Sequence, residues 1–364
     1  MQEPAFLPYD QLYILEDLLI TICGTGLAGL RVAAELREAG YDGPMRAIDR
    51  EGVPPYDRPP LSKNLFGDYR RPLSADGLGH IAELCDEIVT GSVDSLDGSD
   101  VIVDGIRYAS DTTVLALGAD PRETYPGALH LRTREDAERL RAVTGPVTII
   151  GGGWIGCELA SSFAAAGRPV TLVEIAEHIL PAIGPAHTAI ESALNSMGVD
   201  IVSTIPQDPG TIIEATGAVP HTLGLDLRTD GWGRTSYPGV YAVGDCATIG
   251  IGPSGGHWNT ALHQAARVAH AIMTNPADDP LPLVPDVFST IAGLEILVIG
   301  HPVGTPVTID DGSRILWVTE DRLTGGVTVD RPADAVALRR NIGSRITLEA
   351  AADPRPLKKI LREL

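Results

Sequence analysis

The sequence predicts an α/β protein with two similar strand–turn–helix units and a separate α+β part at its C-terminal end. Two glycine-rich segments, residues 24–29 and 151–156, each follow an apolar run and precede a helix-like pattern. From residue 286 onward the chain carries 10 Lys and Arg against 11 Asp and Glu, whereas the rest carries 18 against 37. A chain of 364 residues is long enough for two or three domains, each with its own core.

Composition excludes several classes of function. Apolar residues make up 44% of the chain and charged residues 21%, which is ordinary for a globular protein. A formal net charge of −20 disfavours nucleic acid as a partner. No window approaches the roughly 18 apolar residues of a membrane span, and the N-terminus lacks the basic start and apolar run of a signal peptide. We therefore expect a cytoplasmic protein that binds neither nucleic acid nor membrane.

The cysteines and histidines predict no metal centre. The four cysteines stand alone without a Cys-x-x-Cys pair, which disfavours both a zinc site and a dithiol redox centre. Packed or partly exposed thiols are the expectation. The nine histidines form no cluster with metal-ligand spacing, so we expect ordinary surface or core residues.

The first glycine-rich segment has the spacing of a phosphate-binding turn. Residues 18–23 read as a buried parallel strand, and Gly24, Gly26 and Gly29 follow as G-x-G-x-x-G where the strand gives way to a helix. The first glycine allows the turn, the second lets backbone approach a pyrophosphate, and the third lets helix pack on strand. The pyrophosphate then lies at the helix N-terminus, where unpaired N–H groups favour negative charge. A Rossmann-like dinucleotide-binding domain is therefore predicted.

The same unit occurs a second time. Gly151, Gly153 and Gly156 repeat the spacing after the strand 147–150. A lone glycine motif is weak evidence, but recurrence of the whole strand–turn–helix unit predicts two dinucleotides in one chain.

An acidic residue at the end of the next strand indicates which dinucleotide binds the second unit. The strand 170–173 ends at Glu174, where a carboxylate can bind a ribose 2′-hydroxyl. No arginine follows until Arg228, so a 2′-phosphate would meet negative charge and no clamp. The second unit is therefore predicted to prefer NAD to NADP.

Six motifs in order carry a resemblance to a known family: "GTGLAG", "RPPLSK", "GGGWIGCELA", "ATGAVP", "PGVYAVGDCA" and "HWNTALHQAARVA". Nearly the whole chain after about residue 18 resembles the NADH-dependent, FAD-containing ferredoxin reductases of oxygenase systems, of the putidaredoxin and rubredoxin reductase type. The resemblance implies a glutathione-reductase-like topology. It places a discontinuous FAD domain at 1–124 and 225–284, an NAD domain at 125–224, and an α+β C-terminal domain at 285–364.

The segment "PPYDRPPLSK", residues 54–63, is the most specific of these marks. Four prolines predict a rigid extended segment, because proline fixes φ and lowers the entropy of the unfolded chain. The resemblance implies that this segment places Lys63 beside the flavin ring and that Glu158 faces Lys63, forming a catalytic pair. Two unrelated surface charges are the alternative.

The resemblance assigns further cofactor contacts. Asp245 follows the short strand 240–243 and is expected to reach the ribityl and phosphate part of the flavin nucleotide, although a turn-capping role is the alternative. The helix near Trp258 is expected to point its N-terminus at the flavin, although that indole could simply be packed. The remaining FAD contacts are Ala28, Asp49, Arg50, Glu51, Val93 and Arg122, and the remaining NAD contacts are Ile155 and Gly217.

Four departures from the family pattern weaken parts of this assignment. The ribose-binding acid of the first unit aligns with Arg50, and either flanking acid, Asp49 or Glu51, could serve instead. Leucine replaces threonine at position 117. A strand meander is missing between "GVDIV" and "IIEATGAVP", so the NAD domain is shortened. The family's Trp-Ser-Asp-Gln stretch reads Phe288-Ser289-Thr290-Ile291, which keeps an aromatic face but loses polar contacts.

The resemblance implies an oxidoreductase that passes electrons from NADH through FAD to a small iron–sulfur carrier of ferredoxin or rubredoxin type. The alternatives are a flavin-binding protein with impaired reductase activity, or a flavin enzyme acting on a small molecule or dioxygen. A homodimer is left open. The basic residues of the C-terminal part offer a docking patch for the carrier, with a solvated helix face as the alternative: Arg339, Arg340, Arg345, Lys358, Lys359 and Arg362.

Overall fold

A computed structural model describes residues 18–249, 258–309 and 312–363. The chain divides into two compact units. Unit 1 holds Met1–Asp57, Arg71–Asp120 and Pro220–Leu283, and unit 2 holds Arg58–Arg70, Pro121–Val219 and Val284–Leu364. The N-terminus that lacks a signal-peptide pattern and the start of the "HWNTALHQAARVA" motif at His257 lie outside the described residues. The three-domain division stays a prediction.

The helices of the described residues are α1 Leu27–Glu38, α2 Pro59–Lys63, α3 Ile81–Leu84, α4 Arg134–Arg141, α5 Trp154–Ala165, α6 His187–Ser196, α7 Trp258–Thr274, α8 Pro332–Asn341, α9 Leu348–Ala351 and α10 Leu357–Glu363. The strands are β1 Ile20–Cys23, β2 Met45–Asp49, β3 Glu87–Thr90, β4 Val93–Asp97, β5 Asp100–Val103, β6 Ile106–Tyr108, β7 Thr112–Leu115, β8 Ala119–Pro121, β9 Val147–Ile150, β10 Val170–Val173, β11 Val199–Val202, β12 Thr211–Glu214, β13 Ala218–Pro220, β14 Arg228–Thr229, β15 Val240–Ala242, β16 Thr248–Ile249, β17 Asp286–Ile291, β18 Leu294–Gly300, β19 Thr305–Ile309, β20 Arg314–Thr319 and β21 Arg322–Val329. Within the same ranges, no helix has the length and apolar character needed to cross a bilayer.

Unit 1 is built on a parallel five-stranded sheet in the order β15-β7-β1-β2-β3. All four residues of β1 are buried, as expected for the central strand of a parallel sheet that is covered on both faces. Helix α1 packs against α7, and the small residues Ala28, Ala33 and Ala265 lie in this core. Antiparallel strands β4, β5 and β6 form a separate three-stranded sheet.

Unit 2 contains a second parallel sheet, β11-β10-β9-β12, and an antiparallel sheet, β17-β18-β21-β20-β19. Helix α5 packs on β9 and β10 and also contacts β17, while α8 packs on β18, β21 and α10. Residues 203–210 alone join β11 to β12, which pairs directly with β9. The predicted α/β fold with two Rossmann-like sheets and an α+β C-terminal part is confirmed.

The prediction of an extended segment ending at Lys63 is wrong at its end. Residues Pro59–Lys63 form the short helix α2, with proline at both of its first two positions. The first-turn N–H groups of a helix have no intrahelical partner, so proline loses nothing there, and its fixed φ suits the helix. The prolines therefore begin this turn rather than prevent it.

Candidate functional site

The glycine turn of unit 1 is tight at two glycines and open at the third. Gly24 has a φ of +106°, and a Cβ there would lie 2.3 Å from the carbonyl oxygen of Ala116. A Cβ on Gly29 would lie 1.9 Å from the carbonyl oxygen of Gly24. Gly26 has ordinary extended backbone (φ −61°, ψ −174°), and no described atom lies within 4 Å of its Cβ position. The turn thus requires glycine for its own packing at two positions and leaves space for a ligand at the third.

The glycine turn of unit 2 repeats this geometry. Gly151 has a φ of +107° and approaches Ala215, whose carbonyl oxygen would lie 2.5 Å from a Cβ. Gly156 packs on Gly151 as tightly as its counterpart does in unit 1, at 1.9 Å. Gly153 (φ −77°, ψ −171°) again leaves its Cβ position empty. Both turns therefore fit a pyrophosphate at a helix N-terminus, as FAD and NADH would each require.

Each parallel sheet places one carboxylate beside its glycine turn. In each unit the first glycine donates its N–H, at 2.8 Å, to the carbonyl of the residue just before the acid. The acids at this equivalent position are Asp49 in unit 1 and Glu174 in unit 2. Asp49 accepts a hydrogen bond from the Thr25 hydroxyl at 2.8 Å, and Glu174 accepts one from the Gly152 N–H at 2.8 Å. The two acids are thus held by the second residue of their turns.

The other two residues considered for the first acid make different contacts. Arg50 donates to Asp120 at 3.0 Å. Glu51 accepts a hydrogen bond from the Tyr56 hydroxyl at 2.6 Å. The strand register therefore makes Asp49 the structural counterpart of Glu174. Ungapped alignment with the family instead places the ribose-binding acid at Arg50.

The turn that carries Asp245 lies against the start of α1. It is a 3₁₀ turn, Gly244–Cys246, and a Cβ on Gly244 would lie 3.0 Å from the Cβ of Ala28. The Gln264 side chain accepts a hydrogen bond from the Gly244 N–H at 2.8 Å. Unit 1 thus brings Ala28 and Asp245 to the same end of its sheet as the glycine turn.

Two more of the predicted FAD contacts lie in unit 1. Val93 begins β4, is half-buried, and packs against an apolar cluster of this unit. Trp258 begins α7, and its indole N–H donates to the Asp57 carboxylate at 2.9 Å. The indole N–H of Trp258 thus has a hydrogen-bond acceptor within unit 1.

The remaining predicted contacts lie in unit 2. Arg122 is exposed, and its backbone N–H donates to the carbonyl of Gly217 at 3.0 Å. Gly217 has a φ of +118°, a conformation that favours glycine. Ile155, in the first turn of α5, is 42% exposed, and Ile175, directly after Glu174, is 90% exposed. Such exposed apolar side chains beside a nucleotide turn suit contact with a ligand.

Lys63 and Glu158 form an ion pair within unit 2. The Lys63 ammonium donates to Glu158 Oε1 at 2.7 Å. The Glu158 side chain is only 3% exposed and that of Lys63 is 19% exposed. The alternative of two unrelated surface charges is therefore wrong. Lys63 is one of three lysines among the 28 basic residues of the chain.

Two serines complete the surroundings of Glu158. Ser289 of β17 donates to Oε1 at 2.5 Å, and the Ser62 hydroxyl donates to Oε2. The Ser162 hydroxyl in turn donates to the carbonyl of Ser62 at 2.6 Å. Burying a carboxylate is unfavourable unless it is paired and hydrogen-bonded. Here Lys63, Ser62 and Ser289 all donate to the Glu158 carboxylate and offset its desolvation.

Phe288 provides an aromatic face for the lysine. The Lys63 ammonium lies 5.4 Å from the centroid of the Phe288 ring, within the range of a cation–π contact. Phenylalanine at this position thus gives the ammonium an aromatic face, and Ser289 gives Glu158 a hydroxyl donor. The departure in this stretch does not disrupt the ion pair.

Comparison with known proteins agrees with this arrangement. Residues 19–206 match the pyridine nucleotide-disulphide oxidoreductase family. The chain belongs to this family. It is 30% identical to the ferredoxin reductase component of chlorobenzene dioxygenase from Cupriavidus sp. (strain PS12), over 91% of this chain and 94% of that protein. It is 29% identical to the ferredoxin–NAD(+) reductase subunit of the benzene 1,2-dioxygenase system from Pseudomonas putida, over 91% and 93%.

A solved structure gives the same result. The crystal structure of Fdr9 is 29% identical in sequence and superposes with a TM-score of 0.82, over 93% of this chain and 98% of that one. The predictions of family, fold, oxidoreductase activity and the two cofactors, FAD and NADH, are confirmed. The individual contact residues stay predictions.

The disulphide chemistry in the family's name does not extend to the thiols of this chain. All four cysteines are free and buried. Burial raises the pKa of Cys85 to about 12 and that of Cys246 to about 11, and it also raises the pKa of Cys23 and Cys157. A protonated, buried thiol is neither a nucleophile nor a redox partner.

Proposed function

We propose that this chain passes electrons from NADH, through FAD, to a small iron–sulfur carrier of ferredoxin or rubredoxin type. The observation that carries the proposal is the buried ion pair between Lys63 and Glu158. Glu158 lies on α5, the helix that Gly153 caps and whose first turn carries Gly156. The residues that would hold the NADH pyrophosphate and the residue that holds Lys63 are therefore parts of one rigid element.

When bound, FAD supplies a ring that accepts two electrons together as hydride and releases them singly. Lys63 would present its ammonium to the reacting rings, because lysine offers a compact charge with three donors and Glu158 takes only one of them at 2.7 Å. Glu158 acts as a positioning residue, since Ser62 and Ser289 hold its carboxylate in one orientation. Such preorganisation favours the geometry of hydride transfer.

We assign cofactor contacts by unit. In unit 1 the FAD contacts are Gly24, Gly26, Ala28, Gly29, Asp49, Val93, Asp245 and Trp258, with Arg50 and Glu51 beside the acid. The resemblance adds Lys63 and Arg122 as FAD contacts. The NADH contacts are Gly151, Gly153, Ile155, Gly156, Glu174 and Gly217. The position of Glu174 beside the turn, and the lack of any lysine or arginine in residues 175–227, support NADH over NADPH.

The acceptor is proposed from two supports. Two relatives of this chain are named as ferredoxin reductase components of dioxygenase systems. The buried, protonated thiols argue against a disulphide as the acceptor. The protein as a whole is acidic, so a carrier would dock where basic residues are locally exposed, on α8 and α10. We also propose a cytoplasmic location, because four free thiols suit a reducing compartment.

Anaerobic mixing tests the proposal. The purified holoprotein is mixed with NADH or with NADPH while the oxidised-flavin absorbance is followed, and a [2Fe–2S] ferredoxin or a rubredoxin is then added. We expect rapid bleaching by NADH, much slower bleaching by NADPH, and return of the flavin absorbance as the carrier is reduced. Bound flavin that NADH does not bleach would contradict the proposal. Bleaching without electron transfer to either carrier would contradict the proposed acceptor alone.

A further inference from the structure

Two histidines and a glutamate of unit 2 converge next to the NADH turn. His178 lies in the loop after β10, and His187 and Glu191 lie one turn apart at the start of α6. His178 Nδ1 is 3.7 Å from one oxygen of Glu191, and His187 Nδ1 is 3.3 Å from the other. One ligating atom from each residue lies within 4.8 Å of the other two. The two histidines are nine positions apart, which is not a metal-ligand spacing that a sequence motif would show.

We propose that His178, His187 and Glu191 bind a divalent transition-metal ion of the zinc type. Two imidazoles and one carboxylate are a donor set that suits zinc and its neighbours, whereas magnesium and calcium prefer oxygen ligands alone. Metal–ligand bonds of roughly 2.0–2.1 Å in a tetrahedron separate the ligand atoms by about 3.3 Å. The two histidine–glutamate separations, 3.3 and 3.7 Å, are close to this value.

One atom of the cluster lacks the partner that its burial demands. His187 Nδ1 is shielded from solvent and makes no hydrogen bond within the described residues, although the Glu191 carboxylate is close. An unsatisfied buried nitrogen is costly, and a metal ion bound at Nδ1 would satisfy it. The two imidazole rings are stacked, with centroids 3.7 Å apart and an interplanar angle of 15°. Because an imidazole binds a metal in the plane of its ring, one of the two rings must rotate out of this stack when both bind one ion.

The surrounding fold holds the three residues in place. The Ile179 N–H donates to Glu191 at 3.3 Å, and the Leu180 N–H donates to the carbonyl of Gly152 at 2.9 Å. Gly184, between the two histidines, packs its backbone against Trp317, which would lie 3.1 Å from a Cβ there. The backbone that carries the three residues is therefore fixed by contacts within unit 2.

The exposure of the residues leaves a coordination position open. His178 is 42% exposed, Glu191 25% and His187 14%. Three protein ligands with solvent access on one side leave the fourth position of a tetrahedron to water. Since Glu174 is only four residues from His178, a bound metal would also tie the NADH-side loop to α6.

Metal titration of the tag-free holoprotein tests the proposal. After chelator treatment, Zn²⁺ binding is measured by calorimetry, and Co²⁺ binding by the visible absorption that tetrahedral cobalt gives. We expect one site per chain that binds both ions, with affinity lowered at least about tenfold in His187→Gln and in Glu191→Gln. His178 is the most exposed of the three residues and lies outside α6, so His178→Gln provides the test if either variant on α6 fails to fold.

Matched controls separate this site from adventitious binding to an acidic protein. Asp200→Asn changes an exposed carboxylate on β11 of the same unit, and His270→Gln changes a histidine on α7 of unit 1. Both controls should bind Zn²⁺ as the parent does. If the parent takes up no metal, or if the ligand variants and the controls bind it equally, the proposal is overturned and the cluster is a histidine–glutamate ion pair only.

Discussion

The Lys63 ammonium donates to Glu158 Oε1 at 2.7 Å, although the two residues are 95 positions apart in the chain. The bond joins the proline-initiated turn α2 to the helix of the second glycine turn. Because Glu158 is almost fully buried, neither residue can change without leaving the other in an unfavourable environment. This relationship underlies the first prediction.

Replacing Lys63 tests its role in the reaction. In Lys63→Ala, we expect NADH to bleach the flavin about 100-fold more slowly, because the reacting rings lose a positioned charge, while the Kd for NADH changes little. Rapid-mixing kinetics over a range of NADH concentrations separates rate from affinity. Lys359→Ala, at an exposed lysine of α10, is the control. An unchanged limiting rate in Lys63→Ala would refute the assignment.

Alanine at the open glycines should separate the two cofactors. Gly26 and Gly153 have ordinary φ and empty Cβ positions, so alanine fits the fold at both. The added methyl group occupies the space that a pyrophosphate needs. We expect Gly153→Ala to retain flavin but weaken NADH binding at least about tenfold, and Gly26→Ala to purify with little flavin. Flavin content and NADH titration check both. The reverse pattern would exchange the two nucleotide assignments.

Glu174 should set the preference for NADH. Glu174→Gln keeps a hydrogen-bond acceptor for the Gly152 N–H but removes the negative charge that would repel a 2′-phosphate. We expect the ratio of kcat/KM for NADH to that for NADPH to fall about tenfold. Steady-state kinetics with both nucleotides provides the measurement, and Glu177→Gln is the matched control. A ratio that does not move would place the 2′-hydroxyl contact elsewhere.

Glu214 should make unit 2 sensitive to acid. Burial works to raise its pKa, but hydrogen bonds from Thr124, Thr216 and Tyr125 outweigh it and lower the pKa from 4.5 to about 2. A lowered folded-state pKa stabilises the protein above the unfolded-state value, and that stability is lost as pH falls from about 4.5 toward 2. The contribution at neutral pH is about 3 kcal/mol.

Chemical denaturation at several pH values checks this expectation. Glu214→Gln should lower the free energy of unfolding at pH 7 and should flatten its decline between about pH 4.5 and 2. Glu123→Gln, at an exposed residue of the same segment, is the control. Equal acid sensitivity in Glu214→Gln and the parent would show that other groups cause the decline.

Charge reversal tests the docking of the carrier. Arg340 on α8 and Lys359 on α10 are exposed, whereas Arg339 forms an ion pair with Asp286 and is partly committed to it. In Arg340→Glu with Lys359→Glu, we expect a higher KM for ferredoxin and a weaker salt dependence, while flavin reduction by NADH is unchanged. Arg228→Glu, an exposed arginine of unit 1, is the control. If salt dependence persists unaltered, α8 and α10 are a solvated face.

The sequence by itself determined the two glycine turns and placed the acid Glu174 after the strand that follows the second turn, and the resemblance of its motifs to a known family indicated the class of reaction. The turns are local features, because the spacing of glycines within six residues already specifies where a turn, a close approach and a helix start must fall. The resemblance to the family predicted the pairing of Lys63 with Glu158. Reasoning from the prolines misjudged the local conformation of Pro59–Lys63, where proline begins a helical turn.

Only the tertiary structure decided the contacts that depend on distant residues. Strand register, rather than alignment, made Asp49 the counterpart of Glu174. Ser289 reaches Glu158 from 131 positions away, and His178 meets Glu191 across the 3₁₀ turn Pro181–Ala186. Short polar side chains and isolated histidines leave no periodic pattern in a sequence, so sequence patterns do not predict their contacts. Those contacts follow from the packing of the folded chain.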